Sequence, residues 1–306
     1  MEKLSYLDLP NCYRLSNESV ELVVTTDVGP RILRYAFRGA ENVLGEVPDA
    51  SIQTELGEWK PLGGHRLWAA PEAKPRSYAP DNEPVEFEFA GDRAIRLRAP
   101  VEAATGLQKE LSVALDAAGT RALIRHRITN RGAWGVTLAP WALTIMRGGG
   151  AVVVPQEDYR RWDDYLLPAR PLVLWHYTDL TDPRFTLGAR YLRLRTDATR
   201  DAPQKIGLLN KQGWAAYLRE ATLFVKTVAY REGASYPDYN SNTQTYTAGS
   251  FIELETLAPL QYLEPGESAE HEERWFLFDR VEASVEADEA TLDAAISKHV
   301  GGVLGG

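Results

Sequence analysis

Two glutamates stand two residues apart in the segment "SFIELETLAPLQYLEPGES", at Glu253 and Glu255. The run Phe251 to Leu257 reads as a β-strand, and alternate side chains of a strand point to one face. Phe251, Glu253, Glu255 and Leu257 therefore share a face, and Ile252, Leu254 and Thr256 share the other. Both faces carry apolar residues, so a strand covered on both sides is expected, with at least one Glu buried or lining a cleft. A carboxylate taken out of water is pushed toward a higher pKa unless a cation offsets it. That is how a general base acting near neutral pH is made. An edge strand with two solvated glutamates is the competing arrangement.

Other segments could supply the partners of such a base. His65 sits in "LGGHRLW", where paired glycines allow close backbone approach to a ligand. Its neighbours Arg66 and Trp68 add a cation and a stacking face. His176, in "LVLWHYTDLTDPR", lies just past an apolar run beside Trp175 and Tyr177 and is the second candidate acid or base. His126 shares a strand face with Ile124 and Ile128 and reads as a core histidine, whereas His271 and His299 lie in charged or helical surroundings and read as solvated. Lys226 is aligned with Phe224 and Val228, and an ammonium on an apolar strand face wants a carboxylate. Glu253 or Glu255 would serve. In "YPDYNSN", Asp238 and Asn240 could bind hydroxyls or could simply form the turn after Pro237. Arg66 and Arg184 could read a ligand carboxylate.

Several chemistries have no footing in the chain. It contains no G-x-G-x-x-G placed between a strand and a helix, no P-loop, no H-E-x-x-H and no G-x-S-x-G elbow. Its five histidines are scattered, and the loop aspartates Asp163, Asp164, Asp179 and Asp182 read as solvated turn formers rather than ligands of a hard cation. No metal and no cofactor is therefore expected.

The elements that must hold these residues are short and alternating. "VEFEF" alternates strictly, and "LQKELSVAL" and "RALIRHRIT" flank the turn "DAAGT" as a hairpin. More such runs follow, and only "DEATLDAAISKHV" has a helical period. Many short strands without alternating helices imply a large antiparallel sandwich. Residues 1–306 are expected to form one all-β domain, with 282–306 a C-terminal helix and tail. The long polar loops Pro61–Pro84, Gln156–Pro171 and Gly233–Gly249 are the places for function.

Net charge is −9, which argues against a nucleic-acid footprint or an anionic membrane surface. The single cysteine, Cys12, excludes an intrachain disulfide. With neither a leader-like N-terminus nor an apolar run of membrane-spanning length, a cytoplasmic protein is expected. Eight Trp and fourteen Tyr, several in polar segments, supply flat faces with polar edges. Such faces suit sugar rings.

Three segments resemble the galactose mutarotase-like superfamily, which includes the aldose 1-epimerases. "VELVVTTDVGPRILRYAFRGAENVLG" is similar to its opening strands, with a g-x-N-x-L-like step at Glu41 to Leu44. "IRHRITNRGAWGVTLAPWALTIM" is similar to its T-N strand pair, with Thr129 and Asn130 in place. "FIELETLAPLQYLEPGES" resembles the segment that holds the catalytic glutamate, which falls on Glu255. The overall pattern looks closer to a bacterial branch than to the epimerases proper. The resemblance implies a β-supersandwich with an open cleft for a small carbohydrate. It also implies an isomerase in which Glu255 accepts the anomeric proton while a histidine protonates the ring oxygen. The usual histidine position reads "LAPWALT", with Trp141 near it, so His65 or His176 would have to serve. Arg66, Trp68, Lys226, Asp238, Glu253 and Arg184 are then the expected sugar contacts. A non-catalytic sugar-binding protein, and a lyase or hydrolase of acidic sugars, are the alternatives.

Overall fold

A computed structural model describes residues 1–304. Two large antiparallel sheets, of 11 and 10 strands, dominate it. Across the middle of the larger sheet run Arg31–Phe37, His65–Ala70, Val136–Met146, Phe251–Leu257, Thr243–Ala248 and Gln204–Leu208, in that spatial order. The middle of the second sheet holds Leu107–Leu115, Ala122–Asn130, Ser268–Phe278, Thr222–Thr227 and Trp214–Arg219. The hairpin expected around "DAAGT" forms in register, with Leu107 opposite Asn130 and Leu115 opposite Ala122.

The sheets stack through a core that takes Ile32, Met146, Ile206, Ile252 and Leu254 from the first and Leu111, Ile124, Val154, Phe224 and Trp275 from the second. Its alternation fixes which way every neighbouring residue points, because a one-residue slip would turn each strand's apolar set outward. Ile252 and Leu254 face the second sheet, so Glu253 and Glu255 face away from it.

The expected helix runs over Glu289–Val300. Asp288 caps its start by accepting from the Thr291 N–H at 2.9 Å, and Lys298 and His299 occupy its last turn, where cations suit the helix dipole. Its buried stripe, Leu292, Ala295, Ile296 and Val300, covers the outer face of the second sheet against Val153, Leu218 and Val225. The other helical segments among the described residues are single short turns, Arg76–Tyr78 and Pro237–Asn240. No helix among the described residues is long and apolar enough to cross a membrane.

Candidate functional site

Cross-strand register assembles the outer face of the larger sheet in rows, since directly opposed residues of antiparallel strands share a face. One row reads Arg66, Leu143, Glu255, Gln244 and Gly207. Beside it lie Ile145, Glu253, Tyr246 and Lys205 on one flank. Trp68, Trp141 and Leu257 lie on the other. Loops wall the rows in, with Trp59, Pro61 and Tyr78 from one side and Trp175, Tyr177 and Pro203 from the other. The result is a cleft of about 470 Å³. That size and its aromatic lining fit a small-molecule site.

Two cations sit on these walls. The Arg66 guanidinium lies 5.3 Å from the ring centre of Trp59 and 4.7 Å from that of Trp68, and it donates to Glu253 at 2.8 Å. Its Nε and Nη1 have no hydrogen-bond partner although they are buried. Lys205 lies 4.7 Å from Trp141 and 4.8 Å from Trp175, and donates to Glu255 at 3.1 Å. Desolvated contacts of this kind hold a cation more tightly than water-exposed ones. Gly207 makes room for the Trp175 wall. A Cβ there would come 2.3 Å from the Ser241 hydroxyl and 3.3 Å from the Trp175 ring.

Glu255 is fully buried beneath Lys205 and Trp141, under the floor of the cleft rather than on its surface. Its Oε2 accepts from the Trp141 indole N–H at 2.8 Å and from Lys205, while its Oε1 has no partner. Burial pushes its carboxyl up to about 7, the adjacent Lys205 offsets part of that, and Glu253 adds to it. Burial also raises the phenols of Tyr78, Tyr177 and Tyr246, so all three stay protonated; Tyr78 donates its O–H to Glu72, which leaves Tyr177 and Tyr246 as the donors open to a ligand.

The expected residues divide between this cleft and other places. Glu255, Glu253, Arg66 and Trp68 share the outer face. His65 does not. It precedes Arg66 by one residue, so the pleat turns it inward, where it pairs with Thr144 between the sheets. Lys226 likewise points into the intersheet core, and its carboxylate partner is Glu273 at 2.9 Å, not Glu253 or Glu255. His176 is exposed on the loop between Trp175 and Tyr177, and those two line the cleft while His176 does not. Arg184 is fully buried and held bidentate by Asp182 at 3.0 Å for both bonds, with the Arg200 and Ala202 carbonyls accepting as well, so it has no free face for a ligand carboxylate. Asp182 is thus an ion-pair partner, not a solvated turn residue. Asp238 accepts from Gln244 at 2.7 Å and reaches the site only through that amide.

His271 is not solvated either. It lies opposite His126 across two strands and joins His65 and His126 in the intersheet core. Donors can be assigned along the chain of contacts. The His271 carbonyl accepts from His126 Nδ1 at 3.0 Å, so His126 Nε2 accepts from His65 Nε2 at 2.7 Å. His65 Nδ1 then accepts from Thr144 at 2.7 Å. Burial lowers all three imidazole pKa values, which keeps them neutral. His65, His126 and Glu273 bring ligand atoms within 4.8 Å of one another. The 2.7 Å nitrogen separation is nevertheless that of a hydrogen bond, and Lys226 already holds Glu273. The cluster is a closed polar network.

Residues that the sequence reading did not single out complete the cleft: Lys205 above all, with Trp59, Tyr78 and Tyr246. The usable signal for Lys205 was the alternation in "QKIGLL", which puts Ile206 and Leu208 on one face and a lysine and a glycine on the other.

No family model matches the chain, and no curated protein matches it. Its fold does have relatives among solved structures. A galactose mutarotase-like protein from Lactobacillus casei superposes with a TM-score of 0.58 at 10% identity, covering 88% of this chain and all of that one. A candidate aldose 1-epimerase from Klebsiella pneumoniae gives 0.58 at 12% identity, over 94% of this chain and 82% of that one. The Slr1438 protein from Synechocystis gives 0.57 at 14% identity, over 91% of this chain and all of that one. The chain has the galactose mutarotase-like fold.

Proposed function

We propose that the chain binds a small carbohydrate in the aromatic cleft and interconverts its anomers, as an aldose 1-epimerase-like isomerase with Glu255 as the proton acceptor. The observation that carries this reading is Glu255 itself. It is a buried carboxylate with one oxygen unpaired, tuned up to about 7, just beneath the floor of a cleft walled by four indoles. A base works best when its pKa lies near the operating pH, and it must meet a sugar hydroxyl held in place by stacking. Trp59, Trp68, Trp141 and Trp175 supply faces for the C–H side of a sugar ring, and the Tyr177 and Tyr246 phenols supply donors for its hydroxyls. The lyase or hydrolase reading for acidic sugars loses its second arginine, because Arg184 is consumed by Asp182. No histidine lines the cleft among the described residues.

Non-catalytic sugar binding is the second reading, and the cover that Lys205 and Trp141 place over Glu255 favours it. A mutarotation assay on a panel of aldoses, run beside tryptophan fluorescence titrations, separates the two. Isomerisation that Glu255→Gln abolishes while binding persists is the expected result. Saturable binding with rates no faster than buffer on every sugar would establish the binding protein instead.

A further inference from the structure

We infer that Lys205 is the catalytic acid of the cleft, in the place where a histidine would be expected. This rests on the isomerase reading above. Three observations point to it. Lys205 lines the cleft, whereas its partner Glu255 lies beneath the floor. Its ammonium lies against two indoles, at 4.7 and 4.8 Å, and donates to the Glu255 carboxylate at 3.1 Å, so a long flexible side chain rests beside both the cleft and the base. The bond to Lys205 uses Glu255 Oε2 and leaves Oε1 unpartnered on the same carboxylate.

Anomer exchange needs an acid at the ring oxygen and a base at the anomeric hydroxyl. Those two oxygens are bonded to the same carbon, so an acid and a base that touch each other can serve both from one side. In the opening step the ammonium of Lys205 gives a proton to the ring oxygen as the bond from that oxygen to the anomeric carbon breaks. Glu255 Oε1 takes the anomeric hydroxyl proton, and the electron pair of that O–H bond forms the carbonyl. The open-chain aldehyde turns about its C1–C2 bond. In closure the new ring oxygen returns its proton to the Lys205 amine, and Glu255 returns its proton to the carbonyl oxygen. Nothing is consumed. For Oε1 to meet the sugar, Lys205 moves from its rest position toward the ring oxygen, which uncovers the carboxylate below.

Lys205→Arg is the decisive variant. It keeps the positive charge, the ion pair with Glu255 and the stacking on Trp141 and Trp175, but a guanidinium does not release its proton. Sugar affinity by fluorescence should stay within about threefold of wild type, while kcat falls on the order of a hundredfold or more, the usual size of a general acid's contribution. Lys205→Met, checked for folding by circular dichroism, should show the same loss of kcat. A Lys205→Arg enzyme that turns over at the wild-type rate while Glu255→Gln is inactive would overturn this assignment and leave the isomerase reading standing. A wild-type chain that binds sugars without isomerising them would overturn both.

Discussion

Replacing Glu255 by Gln tests the electrostatics of the cleft without any knowledge of the ligand. The carboxyl stands at about 7 against an ordinary value of 4.5, because burial favours its neutral form. Below pH 4.5 it is protonated in both the folded and the unfolded chain and contributes no pH dependence. Between 4.5 and 7 the folded chain holds a proton that the unfolded chain has lost, so stability declines as pH rises through that window. A difference of two to three pKa units corresponds to about 3 kcal/mol. Glutamine cannot ionise, so the variant lacks that decline. Its loss of the Lys205 partner adds an offset that does not change with pH in this range. Urea unfolding of both proteins at pH 5, 6, 7 and 8 gives the difference directly, and titrating groups that do not interact with Glu255 cancel in it. The variant should gain about 2.5 kcal/mol relative to wild type on going from pH 5 to pH 8. A difference that stays flat across the range, or that moves the other way, would mean that Glu255 carries its charge at no cost to the fold, and the case for a tuned base would collapse.

Three further substitutions probe the assignments around it. Lys226→Met leaves Glu273 charged and unpaired between the sheets and should cost about 3 to 5 kcal/mol in urea unfolding. Adding Glu273→Gln should recover most of that, and a double variant no better than the single would show the pair to be unimportant. Arg184→Met strips Asp182 of its bidentate partner, so it should lower stability by about 3 kcal/mol while sugar affinity, read by fluorescence, stays unchanged. A large loss of affinity there would restore Arg184 to the ligand site. Trp175→Ala removes one wall and one of the two rings over Lys205. It should raise the sugar dissociation constant about tenfold, or 1.4 kcal/mol, with only a minor change in the unfolding midpoint, and unchanged affinity would argue against stacking on that wall.

Part of this site was legible in strand alternation, and the errors have two sources. Glu253 and Glu255 could be placed on one face because period two is a local property, while their meeting with Arg66 and Trp68 depends on strand order. His65 was lost by the same rule. A run such as "HRLW" looks like one compact set of functional groups, yet its histidine and arginine must point to opposite sides of the sheet. The two lysines show a different limit. Lys205 and Lys226 each sit on a strand face without a local partner, and which carboxylate each meets depends on spatial strand order. Gln204–Leu208 lies next to Thr243–Ala248 in the first sheet, while Thr222–Thr227 lies next to Ser268–Phe278 in the second. Nothing within a few residues of either lysine encodes that order. His271 was misread because its charged neighbours Glu270 and Glu272 do face solvent, and alternation then turns the histidine inward.

The carboxylate strand therefore separates two lysine–glutamate pairs of identical composition with opposite electrostatics. On its inner side Glu273 accepts from Lys226 at 2.9 Å, from the Trp275 indole at 2.7 Å and from Thr256. Burial pushes that carboxyl up, but the adjacent ammonium outweighs it and the group stays well below the ordinary range. Lys226 in turn also donates to the Leu254 carbonyl at 3.2 Å, so both carboxylate oxygens and two of the three ammonium hydrogens have partners. On the outer side Glu255 has a lysine and an indole as well, yet both donate to the same oxygen, and Glu253 stands two residues away. Burial prevails, and the carboxyl rises. The difference is one of unmet valence. A buried pair with every acceptor satisfied fixes the strand against the second sheet, and removing either member costs stability. A buried pair with one acceptor left open beside a cleft gains nothing for the fold from that opening. On the proposed isomerase reading its complement is a sugar hydroxyl, and strongly perturbed groups in clefts are where chemistry is found.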